Sequence, residues 1–150
     1  MVNPLVDETK GPFVAVAALC ENVIEDKHGV LSLIRVVDEF TITAQGPDVP
    51  DALPEGRLQV KLVISLKSGS AKGRHKLQIV PWLPSGQLGN PLATVPLNLD
   101  GGHRGQNVIM DLHYEVKDEG THWLNVVLND DQVLTRIPLH VKYQPMPTPR

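Results

Sequence analysis

The histidines are the residues with which this chain could most readily do chemistry: His28, His75, His103, His113, His122 and His140 could between them supply a metal site. The spacings of zinc motifs, His-x-x-x-His or His-Glu-x-x-His, are absent. Period-two alternation sorts the histidines further. His122 shares parity with Leu124, Val126 and Leu128 and faces a core, whereas His113 and His140 point outward. The expectation is that His113 and His140 approach each other on an outer face near Trp123, with Asp111 and Glu115 close by. Exposed sheet histidines are the simpler account, so neither a metal nor another cofactor is expected.

Nucleophiles are few. Cys20 ends an apolar run, where a free thiol is buried and inert. Ser32 sits inside an apolar segment rather than on a Gly-x-Ser-x-Gly elbow, so nothing activates it. The loop Asp100-Gly101-Gly102-His103-Arg104-Gly105 has glycines and a cation but lacks the Lys-Ser/Thr ending and following helix of a phosphate cradle. Acidic loop residues (Asp48, Asp51, Glu55, Asp130, Asp131) suggest the calcium sites that some sandwiches build at one end. Asn129-Asp130-Asp131 is the best of these, but a tight hairpin turn asks for the same residues. No acid, base and nucleophile set converges, and a non-enzymatic role is expected.

An interaction surface is easier to find. Trp123 and Val127 fall outward by parity, and Val63 lies on the polar side of its own strand. An exposed Trp is unusual and often marks a contact, unless a loop or the N-terminal segment covers it. The candidate site is therefore Trp123, Val127, His113, His140 and Val63, a face for another protein or for a second copy of the chain. The alternative is a ligand or metal ion held by the loops at one end, residues 45–56, 84–91 and 100–106.

Strands must position these residues. Leu58, Val60, Leu62, Ile64 and Leu66 alternate with Gln59, Lys61, Ser65 and Lys67. Residues 75–83 read as a further strand, placed at an edge because Pro81 lacks a donor. Residues 92–99 and 107–116 read as two more, and 30–43 as two strands or one bent strand. The closing hairpin joins 122–128 to 133–143 through Asn129-Asp130-Asp131-Gln132. Residues 13–20, apolar on both parities, suit a buried central strand. Pro145, Pro147 and Pro149 predict a solvated tail over 144–150, and residues 1–12 a flexible lead-in to a domain spanning 13–143. About eight or nine short strands in 150 residues predict an all-β, antiparallel sandwich, immunoglobulin-like or C2-like.

Bulk properties narrow the setting. Apolar residues make up 41% and charged residues 21%, ordinary globular usage that argues against disorder. Net charge is −3 with scattered cations, which is no nucleic-acid footprint. The single cysteine excludes an intrachain disulfide and fits a reducing cytoplasm. Asp7 and Glu8 precede the apolar run ending at Cys20, so a signal peptide is not expected. No apolar run approaches the roughly 20 residues a membrane helix needs.

Leu19-Cys20-Glu21, followed by Val23-Ile24 and Gly29-Val30-Leu31-Ser32-Leu33-Ile34, and later Gly120-Thr121-His122-Trp123, resemble a family of short, uncharacterised bacterial β-rich proteins. The resemblance spans most of the chain and implies a bacterial cytosolic β-sandwich. It brings no activity with it.

Overall fold

Alternation on this scale must end in paired strands, because each segment buries one face only against a partner. The computed structural model describes residues 10–150 and forms no helix among them. Its strands are β1 (Phe13–Glu25), β2 (Leu31–Val36), β3 (Glu39–Gly46), β4 (Gly56–Trp82), β5 (Ala93–Val116), β6 (Gly120–Leu128) and β7 (Gln132–Pro147). All belong to one mixed sheet, antiparallel except where β3 runs parallel to β7.

Two long strands organise it. β4 and β5 pair from Gly56↔Val116 to Ile79↔Ala93. The first part of β4 also pairs with β1, and its last part with β6. Two half-sheets therefore share β4 and β5: one adds β1 and β2, the other β6, β7 and β3. Leu62 and Ile64 from the first half and Leu124 and Leu139 from the second meet in a single core.

Glycines at the bend permit this. Lys67 pairs with Gly105, Gly69 with Gly102 and Lys72 with Asp100. One extra residue on β5 is thus followed by one extra on β4, and the register recovers. Each extra residue also flips parity. Inward positions on β4 change from Leu62, Ile64 and Leu66 to Leu77 and Ile79, and on β5 from Leu97 to Val108 and Leu112. Gly69 has φ +59, and a Cβ there would stand 2.1 Å from the Lys10 carbonyl oxygen. At Gly105 a Cβ would stand 1.6 Å from the carbonyl oxygen of Leu66. Neither position admits a side chain without a backbone shift.

The eight or nine short strands expected thus become seven among the described residues, since the bulged turns at 68–74 and 100–105 bend their strands without breaking them. Three further expectations change. Residues 75–83 are not an edge, because β4 lies between β5 and β6. Pro81 is tolerated there. Its carbonyl accepts from Gly89 N at 2.8 Å on the side away from β6, and its missing donor faces the same way, past the end of the β5 ladder. The solvated tail expected from residue 144 begins later, since residues 144–147 continue β7 against Thr43–Gly46 of β3. Of the lead-in, residues 1–9 lie outside the described residues, while the Lys10 carbonyl accepts from Ser70 N at 3.2 Å and Pro12 is buried.

Candidate functional site

Cross-strand register decides which of the predicted site residues meet. Along β6, Thr121, Trp123, Asn125 and Val127 face outward; Trp123 pairs with Trp82 of β4 and Pro138 of β7, and Asn125 with Val80 and Arg136. Trp123 is 40% exposed, so the expected outward Trp is present. Val127 is 8% exposed, because Gln78 and Val133 flank it as cross-strand neighbours. It floors a depression rather than capping a patch.

Val63 is fully buried and belongs to the other half-sheet. The β1–β2 hairpin bends over that outer face: Asn107 Nδ2 donates to the Gly29 carbonyl at 3.2 Å, and Asn107 Oδ1 accepts from Ser65 Oγ at 2.7 Å. Polar alternation put Val63 on the correct face, but a distant hairpin covers it.

His113 and His140 do not approach each other as expected. His113 is on β5 opposite Gln59 in the first half-sheet, and His140 is on β7 in the second, hydrogen-bonded through Nδ1 to Thr121 Oγ1 at 3.1 Å. Asp111 pairs with Lys61 at 2.5 Å, and that bond holds its carboxyl below the usual range. No group of three or more His, Cys, Asp or Glu among the described residues could hold a metal ion. Burial pushes the Cys20 thiol up, away from the reactive thiolate.

His122 is buried in the core, as its parity requires. Its Nε2 lies 2.8 Å from the Asp118 carbonyl, which only accepts, so Nε2 carries the proton. Nδ1 then accepts from the Tyr114 hydroxyl at 2.7 Å. Burial, helped by the nearby Asp118 carboxylate, pushes the Tyr114 hydroxyl up to about 12. With both ring nitrogens engaged, this chain of bonds ties β5 to β6.

The turn at Asn129 and Asp130 is likewise occupied. Both residues have positive φ, Asn129 Oδ1 accepts from Lys76 N at 2.9 Å, and Asp130 pairs with Lys76 at 2.5 Å. Their side chains hold the turn to β4, which supports the hairpin reading over a calcium loop.

What remains open is a concavity of about 440 Å³ on the outer face of β4, β6 and β7. Val80, Asn125 and Val127 form its floor, Leu88 stands on the β5 side, and Asp131 and Arg136 stand at its margins. The Arg136 guanidinium lies 5.1 Å from the Trp82 ring centroid, held by a cation–π contact. A shallower depression lined by Trp82, Pro84, Thr121 and Trp123 continues it. Leu88 is 69% exposed and Val133 49%, so the apolar surface around Trp82 and Trp123 is uncovered by any described residue.

Sequence reasoning found Trp123 but missed Trp82, Asn125 and Arg136. Trp82 carried a usable signal, since its parity opposes that of Leu77 and Ile79. Arg136 and Asn125 carried none, because only the β6–β7 register sets them opposite each other. Comparison of the chain with family models, with curated proteins and with solved structures finds no match.

Proposed function

We propose that this chain is a non-enzymatic binding module, an immunoglobulin-like or C2-like sandwich, that engages another protein through the outer face around Trp82 and Trp123. The observation carrying this reading is the uncovered apolar surface there: half-exposed Trp123 next to Trp82, which borders a concavity lined also by the exposed Leu88 and Val133. Aromatic anchors in a partly desolvated depression are where binding energy concentrates at protein interfaces. The engagement of His122, Asn129 and Asp130 in structural bonds supports a binding rather than a catalytic role. A bacterial, cytoplasmic setting, as the family resemblance and the lone reduced cysteine suggest, belongs to the same proposal. No helix among the described residues is long and apolar enough to cross a membrane.

The test is selection from a displayed random-peptide library on the wild type and on a Leu88→Ser/Trp123→Ser variant, with light scattering of both proteins. Peptides enriched on the wild type and lost on the variant are expected. A dimer made monomeric by the substitutions would assign the face to a second copy. A monomeric wild type that enriches nothing, or enriches peptides the variant retains, overturns the proposal.

A further inference from the structure

The concavity is apolar at its floor but carries opposite charges at two margins. Arg136 has no carboxylate within bridging distance among the described residues. Its guanidinium carbon instead lies 5.1 Å from the Trp82 ring centroid, a cation–π contact that leaves its N–H donors available to an incoming anion. Asp131, at the β6–β7 turn, is exposed and outside every ion pair of the described residues, while its neighbour Asp130 is neutralised by Lys76. Level with Arg136, and directly opposite it across the β6–β7 pair, is Asn125, 4% exposed. Its Nδ2 donates to the Val80 carbonyl at 3.1 Å, but its Oδ1 has no partner.

Spacing gives the ligand its form. Arg136 is level with Asn125, and Asp131 lies just past Leu128, so the two charges are separated by three to four strand rises, about 10–13 Å. An extended peptide spans that length between residues i and i+4, and i, i+2 and i+4 all point to one side. A neutral saccharide would leave both charges without counterions.

We infer that the concavity takes an extended protein segment presenting an acidic, an apolar and a basic side chain at alternate positions on one face. The acid meets Arg136, the apolar side chain covers Val127 and Val133, and the base meets Asp131. This rests on the reading of the outer face as a protein-binding surface and names the partner's chemistry.

The experiment uses fluorescein-labelled, acetylated and amidated peptides built around Glu-Ser-Leu-Ser-Lys, Lys-Ser-Leu-Ser-Lys and Ser-Ser-Leu-Ser-Ser, read by anisotropy. Wild type should bind the first most tightly. Arg136→Glu should weaken it about fivefold, the effect of one rim ion pair, and should favour the Lys-Lys peptide instead. An unchanged thermal midpoint checks that this exposed substitution leaves the fold alone. Equal binding of all three peptides, or no reversal in Arg136→Glu, overturns the inference. If the library selection still yields an uncharged, Trp123-dependent consensus, the protein-binding reading survives without it. If no peptide binds in either experiment, both fall.

Discussion

Replacing Tyr114 by Phe should destabilise the protein at neutral pH and cease to do so at high pH. Tyr114 and His122 are 3% and 1% exposed, and the hydroxyl donates to Nδ1 at 2.7 Å. Removing it strands a buried acceptor, a cost of about 1–3 kcal/mol. The second half of the prediction comes from the hydroxyl's own titration. Its ordinary value of 10.0 is raised to about 12 in the fold, first by burial and then by the Asp118 carboxylate. Below pH 10 the hydroxyl is protonated in both states, and this contribution to stability is fully present. Above pH 10 the unfolded chain loses the proton first, and the contribution falls by at most about 1.4 kcal/mol per pH unit until the folded state titrates as well.

By pH 11.5 the wild type has therefore lost up to about 2 kcal/mol that Tyr114→Phe never had to lose. Urea denaturation of both proteins at pH 8.5 and 11.5, followed by the fluorescence of Trp82 and Trp123, measures the difference directly. Tyr143 and the lysines are common to both and cancel. The expected gap is about 1–3 kcal/mol at the lower pH and near zero at the higher. A gap below about 0.5 kcal/mol at pH 8.5 would refute the buried bond. A gap that persists undiminished at pH 11.5 would refute the suppressed ionisation.

Two further outcomes test the fold. Val63→Ala should cost about 2 kcal/mol, because two buried methyl groups are lost, whereas Val133→Ala, at a half-exposed position, should stay within about 0.5 kcal/mol in the same denaturation assay. Equal effects would mean that the β1–β2 hairpin does not cover Val63. Gly105→Ala should lower the thermal midpoint by many degrees, since its Cβ would meet the Leu66 carbonyl oxygen at 1.6 Å, while Ala in place of the exposed Ser70 should scarcely move it; a tolerated Gly105→Ala would refute the close approach of β4 and β5 at the bend.

By itself, the sequence determined the all-β class and the inward faces. Leu58 to Leu66, Val108 to Val116 and His122 to Leu128 alternate with period two, and that period follows from local backbone geometry. The turn at Asn129-Asp130 was legible for the same reason, since few residue types accept positive φ. Tertiary structure decided the rest. The parity switches on β4 and β5 come from paired bulges that exist only when the two strands are in register. The parallel seat of β3 on β7, which carries the strand to Pro147, depends on residues about 100 positions apart. Alternation names a face but not what lies on it, so Val63 is covered by a hairpin and Val127 becomes a floor while Trp123 stays open. The separation of His113 from His140, and the meeting of Trp82, Asn125 and Arg136, follow from which strands are neighbours. Strand neighbours are chosen by the burial of the whole core, a quantity that no local stretch of sequence contains.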